Sequence, residues 1–383
     1  MWGTRLARRW DARLPAVVVV VVGLIVSLAV AAAAARPSTD EWNGVVDKAI
    51  GYLRRQQADD GSFSKDRNIG ITGIVVTGLL DSGRVDRSDP VIAKALGYIE
   101  KLINPKEGHI AGDNPRMQLK NYVTSVNVMA LAAANADGRY QNVLASSAKF
   151  LKMLQWDEGE NVTPQDPLFG GFGYDSKNRP DLSNSQMAID ALKAAGVSST
   201  DPAFQKAMRF VSRCQNLKSE HQDQAWAEKT NDGSFVYSPL ESKSDPGPSG
   251  ALPGYGSMTY AGIKSLIYAG VDKNDFRVQN ALKWIRKNYT VDANPGLPAA
   301  RNQQGLYYYY HTMAKCLDAL GLDEIEDDQG VKHDWRKDIT QALARRQRPD
   351  GSWVNPQDRW MEGDPVLTTG FALMALSHCK PRK

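Results

Sequence analysis

Residues 307–311 read Tyr307-Tyr308-Tyr309-Tyr310-His311, four phenol rings running into an imidazole, the richest concentration of side-chain chemistry in the 383-residue chain. His311 is the candidate general acid or base, because an imidazole titrates near neutral pH and this one falls where a helix would begin. Tyr308 and Tyr310, with Tyr122, Tyr255 and Tyr260 at comparable places in other parts of the chain and Trp360 near its end, would form an aromatic wall. Such a wall suits an isoprenoid chain or the faces of sugar rings. The same rings would equally close an interhelical core. Asp190, Lys264 and Asp318 occupy one recurring position at which other copies of the same sequence phrase carry apolar residues. A lysine between carboxylates is either a site, with Asp190 and Asp318 catalytic and Lys264 touching ligand, or a buried ion network. Glu362 and Asp364 flank the last helical segment, and Asp364-Pro365 reads as a helix start.

The elements that must position these groups are legible as a repeat. The phrase [Thr/Ser]-x-x-small-x-x-small-Leu begins at Thr72, Thr124, Ser185, Thr259 and Thr369, and at Met313 with the hydroxyl replaced. Offsets of 0, 3, 4 and 7 share one face of an α-helix, and the fourth position is always apolar (Val76, Val128, Ile189, Ile263, Leu317, Leu373). Small residues at the third and sixth positions let neighbouring helices approach closely. A second phrase, aromatic-aliphatic and often Gln four residues on, precedes each copy, as in Tyr52-Leu53-x3-Gln57 and Phe210-Val211-x3-Gln215. Each unit therefore reads as an outer helix, a Gly-rich loop and an inner helix. Asp89-Pro90 and Asp201-Pro202 open outer helices, and Gly83, Gly196, Gly270 and Gly321 end inner ones. The expectation is an all-α (α/α)6 toroid of six hairpins, about twelve helices, over residues 37–383, since the last repeat keeps a full apolar helix instead of a polar cap.

Residues 1–36 are of another kind. Arg5, Arg8, Arg9 and Arg13 precede an uncharged run from Pro15 to Ala35, the pattern of a secretory signal peptide or an uncleaved transmembrane anchor. Either would make the body extracytoplasmic. That segment takes five arginines and Asp11 with it and leaves the body formally neutral, which provides no electrostatic footprint for nucleic acid. Three widely spaced cysteines, Cys214, Cys316 and Cys379, do not make a disulfide framework and read as small buried hydrophobes.

Two loops resemble a known family. Gln57-x-x-Asp60-Gly61-Ser62-Phe63 and Gln347-x-x-Asp350-Gly351-Ser352-Trp353 resemble the QW motifs of squalene-hopene and oxidosqualene cyclases. Phe169-Gly170-Gly171-Phe172-Gly173 resembles the Gly-rich loops those cyclases share with protein prenyltransferase β subunits. The resemblance spans all six repeats and implies a structural role for the loops. It also implies two activities whose residues can be checked. The D-x-D-D acid of the cyclases has no counterpart; the nearest acidic run, residues 323–328, lacks the spacing and reads as a solvated loop. Tyr310-His311-Thr312 resembles the prenyltransferase Y-H-T stretch and places His311 at the zinc histidine, but Tyr255-Gly256-Ser257 stands where the other motif would be. One histidine is not a zinc site, so no metal and no cofactor are expected. The expectations are a monomer holding a hydrophobic isoprenoid-like or glycan ligand in its funnel, and touching the membrane through its N-terminal segment. A terpenoid cyclase-like enzyme with a divergent acid, or a glycan-active lyase or hydrolase, are the alternatives.

Overall fold

In the computed structural model of the chain, residues 39–114 and 119–381 are described. The run from Pro15 to Ala35 lies outside them; among the described residues no helix is long and apolar enough to cross a membrane. Six helices are apolar on nearly every side and are therefore buried on every side: α2 (Ile71–Asp81), α4 (Lys120–Ala133), α6 (Leu182–Ala194), α9 (Gly256–Tyr268), α11 (Leu306–Ala319) and α13 (Pro365–His378). Six amphipathic helices alternate with them: α1 (Thr39–Gln56), α3 (Pro90–Glu100), α5 (Gln141–Met153), α7 (Pro202–Arg213), α10 (Phe276–Lys287) and α12 (Trp335–Arg346). The one-turn α8 (Ala227–Thr230) sits in the long loop between α7 and α9. A two-residue ribbon pairs β1 (Ile325–Glu326) with β2 (Lys332–His333) across the acidic loop, where Asp327 meets His333 at 2.9 Å.

The inner helices pack in the order α2, α4, α6, α9, α11, α13 and back to α2, a closed ring, with the outer helices laid around it. The all-α toroid expected from the repeat is the observed fold. At the closing seam a Cβ on Gly78 would lie 3.0 Å from the Gly370 carbonyl oxygen, so the small residues of the phrase do let helix backbones meet. The outer seam closes too, where the Trp42 indole donates to the Leu376 carbonyl at 2.9 Å across 334 residues of sequence.

The loops explain both phrases. Gln57 Nε2 donates to Gly61 O within its own loop at 3.1 Å and to Val91 O in the first turn of α3 at 2.8 Å. Gln155, Gln215 and Gln347 repeat the pattern, each reaching one loop glycine and the next outer helix, and for Gln347 that next helix is α1, through Val45 O at 2.9 Å. The inner-helix hydroxyl accepts the backbone N–H of the loop aromatic: Thr72 from Phe63 at 2.9 Å and Thr369 from Trp353 at 3.3 Å. These aromatics are fully buried, and Asp60 and Asp350 each bind the N–H and hydroxyl of the following serine. Asp232-Gly233-Ser234-Phe235 forms the same loop, although a long insertion separates it from Gln215. The three cysteines are buried and unpaired.

Candidate functional site

The amino ends of all six inner helices converge on a cavity of about 270 Å³. Ile71, Tyr122, Ser183, Met258, Tyr308 and Phe371 line it from α2, α4, α6, α9, α11 and α13, and loop residues Tyr174, Tyr237 and Tyr255 complete an aromatic wall. Trp360 stands half-exposed at the mouth, its ring against Gly305, whose left-handed backbone (φ +66°) begins α11. Trp360 and Met361 are consecutive left-handed residues without a glycine between them (φ 56° and 67°), a strained strap over the opening.

Beside that strap lies Glu362, buried to 1% exposure and part of the lining. Its carboxyl accepts the Tyr308 N–H at 2.8 Å and the Asn355 side-chain amide at 2.7 Å, and so caps the first turn of α11 from outside the helix. Burial raises this acid to about 7, against the pull of those hydrogen bonds. Asp181, the N-cap of α6, is likewise buried and raised to about 6 by desolvation, against bonds from Asn184. A folded Glu362 holds its proton over a range, about 4.5 to 7, in which the unfolded chain has lost it, so stability falls as pH rises through that window and is fully lowered above it. The contribution is about 3 kcal/mol for a shift of this order. Urea unfolding at pH 5 and pH 8 should show lower stability at pH 8, and Glu362→Gln should flatten much of that slope. An unchanged slope in the variant would exclude Glu362 as its source.

Of the residues singled out in the sequence, Tyr122, Tyr255, Tyr308 and Trp360 line the cavity, and Tyr260, Tyr310, His311, Asp190, Lys264 and Asp318 do not. Tyr310 is buried between helices with its hydroxyl on Val291 O at 2.6 Å, and Tyr260 packs edge-on against Tyr309 with 5.8 Å between ring centres. His311 is fully buried behind Phe371, stacked on it at 6.0 Å. Neither His311 ring nitrogen has a hydrogen-bond partner among the described residues. Burial, followed by the charges of Lys315 and Lys264, pushes its pKa well below the ordinary value, so it is neutral at pH 7.

The ion cluster is arranged the opposite way from the expectation of a lysine between two carboxylates. Asp190 sits between two lysines, Lys264 at 2.6 Å and Lys315 at 2.7 Å, with Asp190 and Lys264 wholly enclosed. Burial alone would raise Asp190, but the two ammonium groups hold it down at about 2. Desolvation lowers Lys264 to about 8 despite the aspartate. Asp318 belongs to a separate group, paired with Arg336 at 3.2 Å and His378 at 2.9 Å. Its place in the phrase is the same, but α11 presents Lys315 to the axis and turns Asp318 toward α12 and the end of α13. Gln186 links the cluster to the cavity, since it accepts from Lys264 and donates to the Tyr308 hydroxyl at 2.9 Å. Tyr174, Tyr237 and Lys315 escaped sequence reading; the first two lie in loops that share no phrase, and Lys315 stands at an offset where the other copies do not repeat it.

No protein-family model matches the sequence, and no curated protein does. Solved structures do share its shape. The type II terpene cyclase MstE from Scytonema, without ligand, superposes with a TM-score of 0.53 at 14% identity, covering 88% of this chain and 98% of the cyclase. A variant of that enzyme in complex with its substrate, geranylgeranyl dihydroxybenzoate, gives 0.52 at 13% identity over 90% and 98%. The six-hairpin ring described above is thus the fold of a type II terpene cyclase.

Proposed function

We propose that this protein binds an isoprenoid-like apolar ligand in the cavity at the amino ends of its inner helices. The observation that carries this reading is the lining: five tyrosines, Trp360, Phe371, Met258, Met361, Ile71 and Leu367 around one opening, with few polar groups among them. A wall of ring faces and thioethers suits a branched hydrocarbon better than the hydroxyl-rich edge of a sugar. The terpene cyclase of the same fold takes a substrate with a geranylgeranyl chain, which supports the same ligand class. About 270 Å³ lies just under the ~300–1,000 Å³ common for small-molecule sites. The cavity therefore suits a short prenyl chain or the end of a longer one.

Cyclase-like turnover is the second reading, and Glu362 is the observation that favours it. A carboxyl held near 7 inside an apolar cavity is a group able to deliver a proton at neutral pH. Native mass spectrometry and calorimetry with geraniol and farnesol test the binding. Nanomolar-to-micromolar complexes are expected, with at least tenfold weaker binding after Ser183→Phe, which fills the cavity from α6. Retention of an oligosaccharide in place of a prenyl chain, or indifference to Ser183→Phe, would overturn it. New cyclised products in the same incubations, lost in Glu362→Gln, would establish turnover. The basic-then-apolar pattern of residues 5–35 supports an exported protein, which fractionation of cells carrying the tagged full chain would check.

A further inference from the structure

The charge of the cavity wall is one-sided. Among the described lining residues no lysine, arginine or histidine occurs, and the single ionisable group other than tyrosine is the buried carboxyl of Glu362. Asp181, a second buried carboxyl, lies close behind the wall, where Tyr237 bonds to it. The buried lysines do not compensate. Lys264 and Lys315 share Asp190, lie outside the lining, and are separated from the cavity by Gln186 and Tyr308. Arg359 is exposed, and its guanidinium already rests 4.9 Å from the centre of the Trp360 ring at the mouth.

Phenol and indole faces carry negative potential, and a cation placed among several of them, with a carboxylate in reach, is stabilised most where water is excluded. This combination is the chemistry that recognises ammonium groups. An anion would meet the opposite situation, ring faces and a carboxylate, with the nearest cations outside the lining: Lys243, over the Tyr237 ring and already paired with Glu241, and Arg359 at the mouth. Resting on the isoprenoid reading above, we propose that the cavity selects apolar ligands bearing a cationic amine, with Glu362 as the counter-ion, and rejects their phosphate esters. Glu362 is held in place at the cavity wall for such a group by backbone N–H donors of the first turn of α11, Tyr308 among them, and by the Asn355 amide. The cation binds at the strap end of the cavity, away from the lysine pair, and the hydrocarbon fills the aromatic remainder.

Calorimetry of the full chain at pH 8 with geraniol, geranylamine and geranyl phosphate tests this with one hydrocarbon and three head groups. The amine is expected to bind at least tenfold more tightly than the alcohol, and the phosphate at least tenfold more weakly. Glu362→Gln should shrink the amine-to-alcohol ratio to below about threefold. Alcohol and amine binding alike, or the phosphate binding best, would overturn the proposal while leaving the isoprenoid reading intact. Failure of all three to bind would remove both. The wild-type series decides the matter even if the variant does not fold, and an undiminished ratio in a folded variant would remove Glu362 from its role.

Discussion

Gly351→Ala is expected to destabilise the protein by about 2–5 kcal/mol, among the largest effects a single methyl group can have. Two causes add. Gly351 holds φ at +92°, a region in which an L side chain costs about 1–2 kcal/mol. A Cβ there would also overlap the carbonyl oxygen of Lys48 in α1, which is backbone and cannot swing aside. Overpacking of this kind adds about 1–3 kcal/mol. The natural control is Gly138→Ala, where φ is +78° but nothing lies within 4 Å, so only the conformational part, about 1–2 kcal/mol, should appear. Urea denaturation of both variants separates the two causes. Equal losses would mean that the loop does not press on α1, and that the ring is not fastened there.

Asp190→Asn should be at least as damaging, about 3–5 kcal/mol, because it leaves Lys264 in the barrel axis without its ion partner and Lys315 with only the unbonded charge of Asp81. Lys264→Met should be far milder, within about 1–2 kcal/mol, since Asp190 keeps Lys315 and the new side chain fills similar space. The pH dependence has a definite sign. Asp190 is ordinarily near 3.8 and is held at about 2, so the stability it contributes is fully present above 3.8 and disappears as pH falls through 2. Thermal melts of the two variants at pH 7, and of the wild type between pH 2 and 5, check both statements. A stable Asp190→Asn protein would show that water reaches the cluster.

The ring was readable in the sequence because its determinants are local and periodic. Thr72, Thr124, Ser185, Thr259 and Thr369 recur at one helical offset, and each hydroxyl holds the backbone of its own loop. Gln57 and Gln347 fall three residues before Asp-Gly-Ser, so the fastener can be seen as a string. Gln215 fastens α10 in the same way, yet its Asp232-Gly233-Ser234-Phe235 partner was hidden by the intervening insertion. The site was less legible, since its members come from helix starts and loops that only the closed ring brings together. Tyr308 and Tyr310 are two residues apart, and a helix of 3.6 residues per turn sends one to the cavity and the other outward. Asp190 and Asp318 share an offset but not a neighbour, because α11 faces α13 where α6 faces α9. Glu362, in a strap with no repeat, gains its meaning from burial alone.

The contact between Trp42 and Leu376 has a consequence for how the chain is made. A ribosome adding about 5–20 residues per second needs roughly 17–67 s to travel the 334 residues between them. For most of that interval α2 has emerged with its Gly78 face, destined for α13, and has nothing to lay against it. Nascent chains of this protein are therefore expected to pass through an open arc with two unsatisfied oily flanks until the last hairpin arrives.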